Sequence, residues 1–393
     1  MNSRERMAIA MRHQQPDRVP VMCQLAVGHY FLHSGIPAEE IWFTSEGFAE
    51  ALVRMQRRYR FDGILINVPG RPAGWLDRNV DSVKRDKDGQ WLTLRTRDRI
   101  FIPNDDNAQF YPADETEPLR ADFATIDPER LDFIDNLKGY VWGTEHIPWL
   151  EGKDVPGPLS VLPSYFFDTI DAVRRRVGHE VSVHGEVFSP LTHYMELFGY
   201  EQALMTFIMD PGKVHAILDR LSVAAVTWAT AQARYGVDAV LISSAFVGGP
   251  FLSPRMYKEF VVPYERRVTE AVKAEGVPVY THTCGSIGDR LDLMLETGTE
   301  GVDTLDPPPL GNTELAVAKQ QIGDKVFIKG NMNAVELLLA TNAQQVTDHA
   351  SNRVLLGKPG GGYILSTACS VAPRVEPWKL EMLTPIAEAL GEY

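Results

Sequence analysis

The feature that most constrains the fold is the alternation of short β-rich runs with longer helical stretches. Helical periodicity is clear, for example, in PGKVHAILDRLSVAAVTWATAQARYG (211–236) and MYKEFVVPYERRVTEAVKAEG (256–276). Strands that alternate with helices predict right-handed βαβ units in a parallel sheet, and eight such strands predict a closed (β/α)8 TIM barrel, an α/β fold in one domain spanning 1–393. The eight runs are RVPVMCQL (18–25), FDGILINV (61–68), VSVHGEV (181–187), DAVLISSA (238–245), VPVYTHTC (277–284), GVDTLD (301–306), KVFIKGN (325–331) and GYILSTAC (362–369).

One interval interrupts this alternation. Roughly a hundred residues, 70–165, separate the second predicted strand from the third. Within them, VDSVKRDKDGQWLTLRTRDRIFIP predicts a β-hairpin with Asp88-Gly89 at its turn, and a helix is expected near 164–178. We expect this insertion to lie over the barrel mouth. Four tryptophans of the insertion either form its core or stack on an aromatic substrate: Trp75, Trp91, Trp142 and Trp149.

Charge and composition exclude some functional classes. The formal net charge is −13, which argues against nucleic-acid binding because that function needs a basic face. The longest weakly polar stretch, AVLISSAFVGGPFL, is too short to span a bilayer, and the N-terminus lacks the apolar core of a secretory signal. Three cysteines make a poor disulfide framework. We therefore expect a cytoplasmic protein without a membrane partner; whether it forms a homodimer stays open.

A His-x-Cys pair and a distant cysteine carry the strongest chemical signal. His282 and Cys284 end the fifth predicted strand, and Cys369 ends the eighth. Strand ends meet at one rim of such a barrel, and two thiolates with an imidazole suit zinc. The competing interpretation is a buried thiol beside a hydrogen-bonded histidine. Glu186, at the end of the third predicted strand, is the candidate fourth ligand, although a salt-bridged carboxylate would show the same pattern.

Other polar residues stand near strand ends. Asn67 and His184 could orient a substrate, and Asn331 lies just beyond the seventh predicted strand. A structural hydrogen bond is the competing interpretation for all three. Asp303 and Asp306 flank the end of the sixth predicted strand, where a carboxylate could hold a zinc-bound histidine in one tautomer.

Nearly the whole chain outside the insertion resembles the uroporphyrinogen decarboxylase superfamily, and within it the zinc-dependent corrinoid methyltransferases, most strongly from 236 to 370. The resemblance runs through GVDAVLISSAFVGGPFLSPRMYKEFVVPYERRVTEAV, THTCGSIGDRLDLMLETGTEGVDTLDPPPLGN, KVFIKGNMNAVELL and GGGYILSTACSV. Methyltransferases of this group bind zinc through a His-x-Cys and a distant Cys, which match His282, Cys284 and Cys369. The resemblance also implies a glutamate ligand at Glu186.

Two departures favour methyl transfer over decarboxylation. Decarboxylases of this superfamily carry Arg-Gln-Ala-Gly-Arg-Tyr near the N-terminus to hold substrate carboxylates, whereas this chain has MCQLAVGHY, without an arginine. A decarboxylase also has no need of two thiolates at strand ends.

The corrinoid-binding motif Asp-x-His-x-x-Gly is absent, because none of the ten histidines has an aspartate two residues before it. The resemblance therefore implies that a separate corrinoid protein is the partner.

The resemblance leaves two classes of methyl transfer. In the first, a methyl group passes from a small donor, such as a methyl ether, to a Co(I) corrinoid, with zinc acting as a Lewis acid on the leaving oxygen. In the second, methyl passes from the methylcorrinoid to a thiol bound by zinc. We favour O-demethylation because the large insertion could roof a pocket for a methoxylated aromatic. A decarboxylase of a tetrapyrrole and a non-catalytic zinc barrel are the remaining alternatives.

Overall fold

A parallel sheet forms the centre of the molecule. The computed structural model describes residues 1–114, 121–130, 162 and 164–393. Seven parallel strands follow one another around the sheet in the order β1-β6-β7-β8-β9-β10-β11, and β2 to β5 form a separate antiparallel sheet. The strands are β1 (Gly63–Ile66), β2 (Val80–Arg85), β3 (Gly89–Leu94), β4 (Arg99–Pro103), β5 (Gln109–Tyr111), β6 (Ser182–Phe188), β7 (Ala239–Ser244), β8 (Val279–Thr283), β9 (Gly301–Thr304), β10 (Phe327–Met332) and β11 (Tyr363–Thr367).

Helices connect the parallel strands. The long helix predicted over 211–236 is confirmed, whereas the stretch 256–276 forms two helices that meet at Val261 and Val262, just before a proline. None of the described helices combines the length and the apolar character needed to cross a membrane. The described helices are α1 (Ser3–Met11), α2 (Val27–His33), α3 (Ala38–Phe43), α4 (Ser45–Tyr59), α5 (Trp75–Asn79), α6 (Asp168–Val177), α7 (Pro190–Phe198), α8 (Tyr200–Met209), α9 (Pro211–Tyr235), α10 (Pro254–Phe260), α11 (Val262–Ala274), α12 (Leu291–Leu295), α13 (Leu315–Ile322), α14 (Ala334–Leu339), α15 (Ala343–Gly357), α16 (Pro377–Glu381) and α17 (Leu383–Leu390).

Seven of the eight predicted strands are confirmed, each within two residues at either end. The first prediction, a regular strand over 18–25, is wrong. This segment fills the eighth position between β11 and β1, but it forms only isolated bridges, to Leu365 of β11, to Val371 beyond that strand and to Glu392 near the C-terminus. On the β1 side it accepts a backbone hydrogen bond from Asp62 N–H at Val21 O. Pro20 has no N–H to donate, and the N–H of Val21 is bonded to the Asp62 side chain at 2.8 Å. The (β/α)8 barrel is therefore closed by an irregular segment.

The barrel interior is filled at its N-terminal end. Strands β1 and β7 to β11 are buried along their whole length, as expected when helices cover the outside and side chains fill the inside. Met7 and Met11 of α1 join a separate apolar cluster with residues of the strands, including Tyr280 and Phe327. Because α1 plugs this end, a functional cavity is left to the C-terminal end of the strands.

The insertion contains the predicted hairpin within a larger antiparallel sheet. Strands β2 and β3 pair antiparallel, with Arg85 opposite Gln90 across the Asp88-Gly89 turn. The segment after the hairpin adds β4 and β5, which gives a four-stranded sheet rather than a single hairpin. The expected helix is confirmed as α6, preceded by a short 3-10 turn over Ser164–Phe167. The rest of the predicted insertion, including 131–161, lies outside the described residues.

Candidate metal centre and cavity

Three possible ligands of one metal ion meet at the C-terminal ends of two strands. His282 lies in β8, Cys284 directly follows that strand, and Cys369 lies two residues after β11. The Sγ atom of Cys284 lies 3.3 Å from Nε2 of His282 and 3.5 Å from Sγ of Cys369. All three ligand atoms lie within 4.8 Å of one another, so their predicted convergence is confirmed.

The spacing of these atoms fits a zinc ion better than a disulfide. Tetrahedral ligands at Zn–S and Zn–N distances of about 2.3 and 2.0 Å would lie roughly 3.5–3.8 Å apart, close to the distances from Cys284 Sγ to the other two ligand atoms. A disulfide needs its sulfurs about 2.05 Å apart, and both thiols are free. Two thiolates and an imidazole are ligands that zinc prefers. The residues present therefore fit the predicted metal.

A buried ion pair fixes the orientation of the His282 ring. Its Nδ1 lies 3.3 Å from Asp303 Oδ2, and Lys329 Nζ donates to Asp303 Oδ1 at 2.8 Å. Nδ1 can therefore carry the proton and donate it to the carboxylate, while Nε2 faces the cysteines as a possible ligand. Asp303 stands where the sequence analysis expected an orienting carboxylate.

The charges in this centre favour a thiolate on Cys369. Its pKa lies well below the ordinary value because Cys284 donates a hydrogen bond to it, and the pKa of Cys284 is raised because the same bond retains its proton. Burial acts to lower the pKa of His282, but Asp303 and Cys369 together outweigh burial and raise this pKa to about 10. A thiolate is the form of cysteine that binds a soft cation, and metal binding at Nε2 of His282 would displace the proton held there.

Glu186 lies on β6 and lines the same cavity as the three ligands. It is 5% exposed, and its Oε2 atom has no hydrogen-bond partner in the described part of the chain. Burial raises its pKa to about 7, partly offset by His282 and by a hydrogen bond from Ser243. Glu186 lies outside the group of ligand atoms within 4.8 Å of one another. A buried oxygen without a partner suits a residue that contacts a metal or a substrate.

The three possible metal ligands line a cavity of about 640 Å³, within the usual size range for small-molecule sites. Asp105, Asp106 and Asn107, in the loop between β4 and β5, also line it, so part of the insertion reaches the cavity. The wall is largely apolar. Its aromatic side chains are Trp42, Phe166, Phe188, Tyr200, Trp228 and Phe246.

Comparison with known proteins identifies the family. Residues 153–390, more than half of the chain, match the uroporphyrinogen decarboxylase (URO-D) family. The chain belongs to the URO-D family. The superfamily predicted from the sequence is thereby confirmed, and the match includes β6 to β11 with all three possible metal ligands and Glu186.

Curated URO-D relatives cover part of this chain. A uroporphyrinogen decarboxylase of Pectobacterium atrosepticum is 30% identical over 235 residues, which are 57% of this chain and 63% of that enzyme. A uroporphyrinogen decarboxylase of Legionella pneumophila is 29% identical over 261 residues, 64% of this chain and 70% of that enzyme. A solved structure described as a methyltransferase from Methanosarcina mazei shares the fold, with a TM-score of 0.70, 16% identity and 99% coverage of both chains.

In this URO-D family member, the other residues singled out from the sequence have different surroundings. Asn67 lines the cavity, but His184 is absent from its described wall. The ring nitrogens of His184 lie 3.0 Å from Ser182 Oγ and 2.8 Å from Tyr280 Oη, which favours a supporting role beneath the site. Asn331 donates to two backbone carbonyls and is buried, as a structural residue would be.

Two of the four tryptophans pack within the protein. Trp75 is 2% exposed and stacks on Phe43 with ring centroids 4.6 Å apart. Trp91 packs against Phe101 and Tyr111 on the small sheet. Neither belongs to the described cavity wall, and Trp142 and Trp149 lie outside the described residues.

The sequence analysis missed two charged contacts. Lys329 sits between Ile328 and Gly330 in a buried strand, and a lysine inside an apolar run could have signalled a buried ion pair. Arg374 pairs with Asp105 at 2.6 Å across 269 residues of sequence. No local pattern predicts such a distant pair.

Proposed function

We propose that this protein is a zinc-dependent methyltransferase that moves a methyl group from a small donor, most favourably a methoxylated aromatic, to the Co(I) corrinoid of a partner protein. The observation that carries the proposal is the convergence of His282, Cys284 and Cys369 at the wall of an apolar cavity. A site closed by four protein ligands would be structural, whereas three ligands beside a cavity leave a position for substrate. The fold shared with a protein described as a methyltransferase is consistent with this assignment.

The roles of the chain's own residues follow from their contacts. His282, Cys284 and Cys369 would hold zinc, and Glu186 would be a fourth ligand that gives way when a donor arrives. Bound zinc would supply Lewis acidity toward the donor oxygen. Asp303 would keep Nε2 of His282 directed toward the metal. Asn67 would contact the donor, and the apolar wall would exclude water from it.

The proposed reaction balances in atoms and electrons. The methyl C–O bond breaks, and the oxygen keeps the bonding pair and leaves as a phenoxide or alkoxide that takes up a proton. Co(I) supplies the electron pair of the new Co–C bond and is formally oxidised to Co(III). The sequence has no Asp-x-His-x-x-Gly motif, so we propose that a separate protein brings the corrinoid to the barrel mouth.

Two other activities remain candidates for specific reasons. Methyl transfer from a methylcorrinoid to a thiol would use the same three zinc ligands, with the thiol at the open position. Decarboxylation of uroporphyrinogen is favoured by the names of the curated relatives. That substrate carries many carboxylates, however, and the only arginine on the described cavity wall, Arg374, is paired with Asp105.

Metal content and methyl transfer test the proposal in turn. We expect about one zinc per chain in the wild type and loss of that zinc in Cys284→Ser, whereas Cys23→Ser, at a buried thiol outside the group of three ligands, keeps it. The zinc-loaded protein, incubated with reduced cobalamin and a panel of aryl methyl ethers, should produce the methylcobalamin absorbance. Release of carbon dioxide from uroporphyrinogen, or methylation of thiols alone, would replace the proposal with the corresponding alternative. Wild-type protein without zinc would remove its basis.

A further inference from the structure

The cavity wall is built to pack against flat apolar groups. Phe166 and Trp228 meet edge to face with ring centroids 5.5 Å apart on one part of the wall. Tyr200 and Phe246 form a second aromatic pair, with ring centroids 5.0 Å apart. Aromatic rings offer large contact areas at little cost in side-chain entropy, and they pack on other rings by stacking and edge contacts. This wall favours a ligand that contains an aromatic ring.

The charges on the described wall are mainly negative. Asp105, Asp106 and Glu186 are carboxylic acids, and an ionised carboxylate repels an anion. His193 also lines the cavity, but burial lowers its pKa to about 3, so its ring is neutral at pH 7. In the zinc-loaded protein, the two thiolates of Cys284 and Cys369 would balance the charge of the ion. Outside that centre, Arg374 is the one side chain of the described wall that carries a permanent positive charge.

That positive charge is already neutralised. Nε and Nη2 of Arg374 both lie 2.6 Å from Oδ2 of Asp105, so the guanidinium is held by a carboxylate of the same wall. An anionic ligand at the remaining Nη1 donors of Arg374 would lie beside the carboxylate of Asp105, and one that displaced Asp105 would leave it as an unpaired negative charge. The loop between β4 and β5 therefore makes this cavity unfavourable for carboxylates.

Unpartnered polar atoms of wall residues point to the same ligand chemistry. Gln24 Oε1 and Glu186 Oε2 are buried oxygens without a hydrogen-bond partner in the described part of the chain, and Trp42 Nε1 is a donor without one. Gln24 Oε1 can be satisfied by a ligand or a water that donates a hydrogen, and Glu186 Oε2 by such a donor or by the metal. A carboxylate donates none, whereas a hydroxyl, an amide or an amidinium group does.

We propose that the cavity binds an aromatic methyl donor without negative charge and rejects its carboxylated analogues. The inference rests on the proposed function, whose donor class it narrows. A ligand carboxylate about 8 Å from an ionised carboxylate of the wall, at an effective dielectric constant of about 20, would bind roughly thirtyfold more weakly than a neutral ligand. A neutral or cationic aromatic avoids this penalty and keeps all contacts with the aromatic wall.

Three ligands of nearly equal shape test the proposal. They are 4-methoxybenzamide, 4-methoxybenzamidine and 4-methoxybenzoate, which are neutral, cationic and anionic. Binding to the zinc-loaded full chain is measured at pH 7.5 by quenching of tryptophan fluorescence, because Trp42 and Trp228 line the cavity, and is repeated by calorimetry. We expect the amide and the amidine to bind at least tenfold more tightly than the benzoate. Equal or tighter binding of the benzoate, or no binding of any of the three at millimolar concentration, overturns the proposal.

Two opposite substitutions test the part played by the ion pair. Asp105→Asn frees Arg374, so the preference for the amide over the benzoate should shrink at least fivefold. Arg374→Gln leaves Asp105 without its partner, so the preference should hold or grow. A purely structural effect of breaking the pair would change the preference for the amide over the benzoate in the same direction in both variants. That result would contradict the proposed role of the pair.

Binding and turnover separate this inference from the proposed function. If the amide binds preferentially but no methylcobalamin forms from any ether, the proposed function fails and the ligand class stands. If methylcobalamin forms from 4-methoxybenzoate at least as fast as from 4-methoxybenzamide, the proposed function stands and the ligand class is overturned.

Discussion

The contact between Asp303 and His282 gives the sharpest prediction for the metal centre. Asp303 is fully buried, its Oδ2 lies 3.3 Å from His282 Nδ1, and its Oδ1 lies 2.8 Å from Lys329 Nζ. Burial alone would raise the pKa of Asp303, but Lys329 and His282 outweigh it and lower that pKa, so the carboxyl is ionised. Asp303→Asn keeps the size of the side chain and removes its charge.

The substitution should have two separable effects. Carboxylates that orient a metal-bound histidine typically contribute 10–100-fold in metal affinity, so the zinc dissociation constant should rise by about that factor. Lys329 would also lose its partner while 1% exposed, and breaking a buried ion pair costs roughly 3–5 kcal/mol of folding free energy. The loss of zinc affinity would come from the broken contact with His282. Most of the loss of folding free energy would come from the broken contact with Lys329.

Two matched variants separate these effects. Lys329→Met removes the buried ammonium and leaves Asp303 to orient His282, so zinc affinity should stay within about threefold of the wild type, well short of the 10–100-fold loss expected when the histidine contact is broken. The double variant Asp303→Asn/Lys329→Met should regain part of the stability lost in Asp303→Asn, yet bind zinc as weakly as that single variant.

Zinc affinity is measured by competition with a chromogenic chelator. Stability is measured by urea unfolding of the metal-free protein, because bound metal would add its own stabilisation. The reasoning is refuted if Lys329→Met weakens zinc binding as much as Asp303→Asn does. That result would mean that both residues act on the metal only through the stability of the barrel.

Three further predictions follow from single residues. Burial raises the pKa of Glu265 from 4.5 to about 7, so the folded protein retains a proton there that the unfolded chain has lost, and stability falls as the pH rises through this window. Glu265→Gln should match the wild type at pH 4 and exceed its stability at pH 8 by up to about 3 kcal/mol in urea unfolding; equal stability at pH 8 would contradict a buried, protonated Glu265. A Cβ atom on Gly28 would lie 2.1 Å from the backbone oxygen of Asp105, so Gly28→Ala should cost about 1–3 kcal/mol, whereas Gly212→Ala, with only a side-chain oxygen at 3.6 Å, should not destabilise. Glu186→Gln should weaken zinc binding on the order of tenfold in the same chelator competition if Glu186 is a ligand, and unchanged affinity would assign it to the substrate instead.

Periodicity predicted the regular part of the barrel because a buried parallel strand needs an apolar run and a covering helix needs an amphipathic one. The prediction from periodicity failed at 18–25. The run there is apolar, but Pro20 and the Asp62 side chain prevent regular backbone hydrogen bonding between strands. The bond to Asp62 joins residues 41 positions apart, so no local pattern shows it. The same limit hid β5, a strand of three residues that is too short to show alternation.

The candidate metal centre was predictable because histidine and cysteine are rare in this chain and each possible ligand stands at the end of a recognisable strand. His282, Cys284 and Cys369 needed only the rule that strand ends meet at one rim. The cavity wall was not predictable in the same way. Arg374 and Asp105 are common residue types in loops, and their pairing depends on how the insertion folds back on the barrel.

Strand register explains why residues of the candidate metal centre and residues of the cavity wall can be substituted independently of one another. His282, Asp303 and Lys329 are Cα partners on the consecutive strands β8, β9 and β10, so they form one layer of the barrel. Slipping any of these strands by one residue would turn its side chain away from the layer. The wall, by contrast, includes the loop between β4 and β5, which can change without moving this register. Substitutions in the layer should therefore alter zinc affinity, whereas substitutions in the loop should alter which donor binds.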